Sequence, residues 1–587
     1  MEKLLKKKYE AFLRYDEKAK TMVFDDFSGG MISDVDRFRK NAVRELFGLE
    51  PRGFRLVSMG GVQIVEPEGG FAEGVISAHK AADGVLLFRK GRTLYAYREG
   101  HFSVVGEKGM LSSDFGEIYD DGTFFYVMDG ETIFAVSRDL SVLQTEQKVP
   151  VCFQDLSRSG AYFTEIAPQN PFCRYIDVIL SDEASNEQRF PSTWAVDPTY
   201  ARAWHPDGRE VYPGYLMRRE DRVIFDGDDA AGCRLRLRLL DSEDENIYSF
   251  SKTAKFRDIL NQPDSVNRIS FSAGETVFLL SKDKMLYGLF LSDEGFSDCS
   301  EKRFFSFDCR ESITGIIGYD EGYLVFFENA VKKLTLEHKA ESILFSLSPF
   351  QSDFGSDMRG SICCFDDKTV FASSKGGIYC IDRFGISEKL RCRKISANIE
   401  NGTKGFFSHT EDEYRSAVSA CAFGKYFLTV GDVTYIWDYR AKLPSSTQSH
   451  ADEAEMVWMM GDWKAMRYLC ALSGRLYYAE RDTDHLCYME RERGKRPFRL
   501  TTSELDFGGL KEKILVKLAI DYRCHAEATI SLCFDGSADG ICYQLPISDD
   551  MRRFSIRTYA KHFRTLRLIL EGEGDFALDA LRFEYFD

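Results

Sequence analysis

Seven times along this chain a polar turn leads into an apolar strand, a short second turn and another apolar strand. That recurrence limits what the chain folds into more than any other feature. The units are DGVLLFRKGRTLYAYREG at 83–100, DGTFFYVMDGETIFAVSRD at 121–139 and AGETVFLLSKDKMLYGLFLSD at 273–293, then DEGYLVFFENAVKKLTLE at 320–337 and DDKTVFASSKGGIYCIDR at 366–383. The last two are FGKYFLTVGDVTYIWDYR at 423–440 and RYLCALSGRLYYAERD at 467–482. In six of them an aromatic stands near the centre of the second strand: Tyr95, Phe134, Tyr287, Tyr379, Tyr435 and Tyr477. The fourth carries Val331 and Leu334 instead. The turn lengths suit antiparallel hairpins.

Most starts fall about 40–55 residues apart, the period of a four-stranded propeller blade. A single blade exposes two apolar faces, so it is stable only when neighbours cover both. The expected fold is therefore all-β: a β-propeller of about seven blades, with about six to eight compatible with the spacing, over 66–495. The competing architecture is an open stack of β-sandwiches with coincidental hairpins. The step from 121 to 273 is too long for one blade and predicts a small inserted β-sandwich over 155–265, where YIDVILSD, DRVIFDGDD and CRLRLRLLD read as strands. From 496 to 587 the blade period is lost. ILVKLAIDY and RTLRLILEGEG alternate as facing strands do, which predicts a C-terminal β-sandwich. Residues 1–65 read as a short N-terminal helix, with Leu4, Leu5, Tyr9, Phe12 and Leu13 on one face, then an irregular docking segment with a helical turn or two around 39–47.

Composition narrows the function. The net charge of −16 argues against broad nucleic-acid binding, which needs clustered cations. The short run Lys6, Lys7, Lys8 is flanked by Glu2 and Glu10 and reads as a solvated face. The 15 cysteines are odd in number and irregularly spaced, many inside apolar runs such as those around Cys470 and Cys533. Reduced core cysteines look like this, and they imply a reducing compartment at synthesis. No stretch has the length of a membrane span or the pattern of a signal peptide.

No catalytic, cofactor-binding or metal-binding residues are assigned. The sequence has no Walker A loop, HExxH, GxSxG or paired CxxC. His485 with Cys487 and Cys524 with His525 are the only close Cys/His pairs, and each lacks the second pair that tetrahedral zinc requires. Asp226, Asp228 and Asp229 resemble part of a calcium loop without its later bidentate Glu, and DSEDEN at 241–246 reads the same way. LSDEGFSD at 291–298 is a partial Asp-box without its aromatic. The Trp-Asp pair in YIWDYR at 435–440 occurs once and reads as a strand end.

The order of parts is more informative. FDDFSGGM followed by RKNAVRELFGLEPRGFRLVSMGGV resembles the opening of bacteriophage tail and neck structural proteins. GYLVFFENAVKKLTL and TVFASSKGGIYCID are similar to their blade units, and RTYAKHFRTLRLILEGEGDFALDALRFEY to their closing sandwich. The chain is similar in kind to podophage tail nozzle or tubular proteins, from which it departs in its cysteines and its N-terminal helix. The resemblance implies a non-enzymatic virion component made in the host bacterial cytoplasm. It also implies a homo-oligomeric ring with other tail or neck proteins as partners, through which DNA passes without tight binding. The alternatives are a cytoplasmic propeller serving as a protein-interaction scaffold, and a glycan-binding or glycan-processing propeller at a tail tip.

Overall fold

Hairpins set the local structure. At Asp83-Gly84, Glu99-Gly100 and Phe423-Gly424 two residues with positive φ join consecutive strands. Left-handed backbone at both central positions follows the natural twist of paired strands, and glycine adopts it without strain. The computed structural model describes residues 19–33, 41–67, 70–71, 73–74, 76–111, 118–120, 124–129, 132–143, 163–167, 175–180, 186–189, 196–212, 216–219, 222–226, 229–239, 266–272, 275–282, 285–291, 304–319, 322–339, 342–351, 353–365, 368–384, 389–441, 456–461, 466–473, 475–480, 485–489, 496–509 and 511–586. Among them the chain is nearly all strand, with one short α-helix at Glu411–Arg415. None of their helices is long and apolar enough to cross a membrane. The chain divides into two compact units, 72–352 and 1–71 with 353–587.

Among the described residues the first unit holds four antiparallel four-stranded meanders. The first meander runs Ile76–Ala82, Val85–Lys90, Thr93–Arg98, His101–Val104, and the second Ile118–Asp120, Phe124–Asp129, Thr132–Ser137, Val142–Leu143. The third is Val266–Ser272, Glu275–Lys282, Met285–Leu291, Phe304–Asp308, and the fourth Ile313–Tyr319, Gly322–Phe327, Val331–Lys339, Ser342–Gln351. Their first strands lie side by side in the order first, second, third, fourth. The middle strands are buried on both faces: all six residues of Val85–Lys90, and five of six in Thr93–Arg98 and Gly322–Phe327. Outer strands are not, as in the alternating exposure of His101–Val104. A strand buried on both faces needs a layer on each side. One such layer joins Val85, Leu87, Leu94 and Ala96 of the first meander to Ile118, Phe125, Val127 and Val136 of the second. Between the second and third meanders lie two small sheets. One is four-stranded (Phe163–Ala167, Tyr175–Leu180, Arg234–Leu239, Val196–Trp204) and the other three-stranded (Glu187–Arg189, Arg222–Phe225, Leu216–Arg219).

Among its described residues the second unit holds three more meanders and a two-sheet domain. The fifth meander is Cys363–Phe365, Lys368–Ser373, Gly377–Phe384, Lys389–Lys394, and the sixth Val418–Ala422, Lys425–Val430, Val433–Asp438, Val457–Gly461. The seventh is Met466–Leu472, Arg475–Glu480, Leu486–Met489, and its fourth strand is Val62–Val65 from the other end of the chain. The recurring aromatics hold one register: Tyr95 opposite Phe88, Tyr379 opposite Phe371, Tyr435 opposite Leu428. Two of these pairs stack at 5.5 Å between centroids, an arrangement that adds to simple area burial. The seventh unit is out of step: its repeat hairpin forms the first two strands of its meander, whereas the other six form the second and third.

The residues after 496 build two sheets with the N-terminal segment threaded through both. Lys20–Phe24 and Arg55–Ser58 each pair with Phe576–Phe586, which also pairs with Lys513–Cys524. Glu45–Phe47 pairs antiparallel with Pro497–Thr501 and, through Phe47 opposite Met460, parallel with the last strand of the sixth meander. It thereby joins that meander to the other sheet in one nine-stranded path.

This corrects the expectation for 1–65. The region read as irregular, with helical turns near 39–47, is strand at Glu45–Phe47, with Lys20–Phe24 before it and Leu49–Arg52, Arg55–Ser58 and Val62–Val65 after it. The local pattern of ELFGLEPRGF does not distinguish a helical turn from two short strands broken by a glycine; long-range pairing decides it. The helix expected near the N-terminus lies almost wholly outside the described residues.

Leu46 is fully buried at this junction. Leu46→Ala is expected to lower stability by about 2–5 kcal/mol, read as a fall in urea midpoint, whereas Phe54→Ala, 64% exposed, leaves the midpoint nearly unchanged.

Candidate functional site

The residues weighed for chemistry from sequence occupy structural positions. His485 Nδ1 lies 2.5 Å from Glu66 Oε1 on the surface, while Cys487, two strand residues on, is buried. Cys524 is buried and His525 is half-exposed beside Asp575 and Asp549, at 3.4 and 3.9 Å. Cys524 and His525 are adjacent, so alternation at the strand end separates them; His485 lies just before Leu486–Met489, whose four residues, Cys487 among them, are all buried. Asp229 Oδ1 accepts the Ala231 N–H at 3.0 Å and closes a turn. Asp228, DSEDEN and all of LSDEGFSD after Leu291 lie outside the described residues. Trp437 of YIWDYR is buried against Trp458, and Asp438 Oδ1 accepts the Arg440 and Ala441 N–H groups, ending the strand. Among the described residues no three His, Cys, Asp or Glu side chains converge as metal ligands. Burial raises the Cys380 and Cys392 thiols, the latter to about 12, so neither is a nucleophile near neutral pH.

Two cavities flank the N-terminal strands, and of their lining residues only Asp438, in the Trp-Asp pair, was weighed for a motif in the sequence. The first, of about 240 Å³, is lined by Glu50, Arg52, Lys425 and Asp438 with Met59 and Phe427. Its charges are matched. Lys425 Nζ bonds Glu50, Arg52 Nε lies 2.8 Å from Glu50 Oε1, and the Glu50 and Lys425 side chains are each 15% exposed. Burial pushes the Glu50 carboxyl up, but Lys425 and then Arg52 outweigh it, and the carboxyl titrates below its usual range. This is a structural ion pair tying the strand Leu49–Arg52 to the sixth meander.

The second cavity, of about 300 Å³, opens where Glu45–Phe47 crosses between the sixth meander and Pro497–Thr501. Arg44, Glu45, Lys404, Arg499, Arg567 and Thr501 contribute its polar lining; Met31, Met460 and Ile569 contribute apolar surface. The loop bearing Lys404 is tightly held. Asn401 N–H donates to Ser33 Oγ at 3.1 Å, Asn398 Nδ2 to Met456 O at 2.8 Å, and Tyr435 OH to Lys404 O at 2.9 Å. His409 follows that loop, its Nε2 2.8 Å from Tyr435 Oη and its Nδ1 3.5 Å from Glu413. Thr410 then caps the short helix through a reciprocal pair of bonds with Glu413.

No family model matches this chain, and no curated protein matches it. Among solved structures, the computationally designed Ika8 protein is similar over 73% of this chain and 99% of its own, at 9% identity and a TM-score of 0.31. At that TM-score the likeness carries no argument about fold or function.

Two outcomes follow from the ionisable groups. Lys425→Met strands a buried carboxylate and is expected to cost about 3–5 kcal/mol, while adding Glu50→Gln recovers much of the loss in the same denaturation assay. Burial lowers the His409 pKa despite the opposing pull of Glu413. The unfolded chain therefore takes up the proton first, and native stability falls as pH drops below about 6.5. His409→Asn is expected to flatten the fall in melting temperature below that pH.

Proposed function

We propose that the seven meanders are the blades of a single β-propeller, and that the protein is a non-enzymatic structural component of a bacteriophage or prophage-derived tail or neck. It is made in the bacterial cytoplasm and incorporated into the virion. The observation that carries the propeller reading is the seventh meander: three strands from 466–489 are completed by Val62–Val65. A ring of stacked sheets needs a device that joins its two ends, and an outer strand borrowed from the opposite terminus is such a device. Middle strands buried on both faces, and first strands lying side by side within each unit, support the same reading.

The tail or neck assignment rests on the resemblance of the FDDFSGGM opening, the blade units and the closing sandwich to such proteins. The net charge of −16 favours a role beside DNA without tight binding, because like charges repel along a duplex in transit. The chain then acts as a rigid hub, repeated in a homo-oligomeric ring whose contacts are head-to-tail between neighbours.

Two measurements test these statements separately. Electron cryomicroscopy of the purified protein is expected to show a closed disc of seven radial sheets; an open arc overturns the propeller. Peptide mass spectrometry of tailed particles purified from a culture carrying the gene is expected to find this chain at a fixed multiple of the portal copy number. Its absence from the particles overturns the virion assignment.

A further inference from the structure

Four cations, Arg44, Lys404, Arg499 and Arg567, line the second cavity against one carboxylate, Glu45. That balance is unusual in a chain of net charge −16, and the cations are poorly compensated. Among the described residues, neither Arg44 nor Lys404 has a carboxylate within ion-pair distance. Lys404 Nζ sits 3.8 Å from the centroid of the Phe47 ring, and the Arg44 backbone N–H is bound to Thr501 O. Arg499 meets Glu45 and Glu571 only at 3.4 and 3.7 Å. Arg567 meets Glu504 at 3.8 Å and gives one N–H to Ser537 O at 3.3 Å, while its Nε–H is buried without an acceptor. Contacts this long leave guanidinium donors unused, although a guanidinium fork gains most from paired short bonds to an oxyanion.

The elements around the cavity are fixed before any ligand arrives. Arg44 and Glu45 are set by backbone pairing to the strand Pro497–Thr501, which also carries Arg499. Arg567 stands on Leu566–Glu573, paired to that same strand. Lys404 is held by the pinned 398–404 loop. Two threonines, Thr403 and Thr501, add hydroxyls to the lining, although Thr501 Oγ1 already donates to Glu45. A monocarboxylate neutralises only one of the excess charges. A phosphate ester or oligophosphate neutralises more and presents several acceptor oxygens to forked donors and hydroxyls.

We propose that this cavity is a binding site for a small phosphate-bearing anion carrying at least two negative charges, such as an inorganic oligophosphate or the phosphates of a nucleotide. Arg44 and Lys404 are its principal charge donors, Arg499 and Arg567 orient the anion, and Glu45 competes with it. The site is independent of the tail assignment and requires only the second unit as folded.

Isothermal titration of the full chain with inorganic pyrophosphate and, separately, with a nucleoside diphosphate tests this. Pyrophosphate is expected to bind at low salt and to weaken as salt rises. The double variant Arg44→Gln/Lys404→Gln is expected to weaken it by about tenfold or more. Glu45→Gln is expected to tighten it several-fold, about the effect of removing one competing charge, and Arg552→Gln, on an exposed strand elsewhere, to leave it unchanged. Equal affinity for the two ligands assigns recognition to the phosphates alone, and tighter nucleoside diphosphate binding assigns it to a nucleotide. Absence of binding by both overturns the proposal, as does binding undiminished in the double variant. If circular dichroism shows the double variant unfolded, the exposed single change Lys404→Gln serves in its place, with a several-fold loss expected and an unchanged affinity overturning the proposal.

Discussion

Backbone pairing by the segment from Lys20 to Val65 is the constraint on which the second unit depends. Its strands reach four separate places: the strand Phe576–Phe586, the strand Pro497–Thr501, the end of the sixth meander and the outer edge of the seventh. Every buried backbone donor and acceptor needs a partner. Without this segment the sixth and seventh meanders and the C-terminal sheets lose partners together. The glycines in it mark where the chain passes close to its neighbours. A Cβ at Gly30, which has φ +67°, would lie 2.6 Å from Trp458 O, and one at Gly48 would lie 2.3 Å from Pro497 O. Both are positions that only glycine fills without displacing backbone.

The packing that follows combines apolar burial with satisfied polar tips. Trp458 is fully buried and donates from Nε1 to Ile395 O at 2.7 Å; Tyr426 donates to Ser361 O at 2.8 Å and Tyr414 to Phe406 O at 2.6 Å. Each large ring fills space between sheets while its single donor closes on a loop carbonyl, which costs far less than leaving that donor buried and unpaired. The Trp458 bond, with that of Tyr435 to Lys404 O, holds the 395–409 loop against the sixth meander, and that loop forms one wall of the cationic cavity. Fold and cavity are thus two consequences of one set of contacts.

Much of the local architecture was legible in the residues. The seven hairpins appear where their turns and apolar runs place them, because a hairpin is specified by residues a few positions apart and by the φ its turn demands. The two sheets after 496 likewise show the in-out burial that ILVKLAIDY and RTLRLILEGEG imply, with Leu566, Leu568 and Leu570 inside and Arg567 and Ile569 between them less buried. The phase of the seventh unit was not legible. RYLCALSGRLYYAERD has the grammar of the other six, and nothing within it states that its hairpin forms the first two strands rather than the middle two.

The sequence by itself determined the all-β character, the hairpins and the absence of a recognisable catalytic motif, since each is written in neighbouring residues. Tertiary structure alone decided that Gln63 bonds Tyr488, 425 positions away, and that Lys425 pairs with Glu50, 375 positions away. It alone gathered Arg44, Lys404, Arg499 and Arg567 around one cavity. Short strands such as Val62–Val65, with two of four residues exposed, carry no periodicity strong enough to announce a partner. Their pairing is fixed by backbone groups every residue possesses, so the choice is made only when the rest of the chain has folded around them.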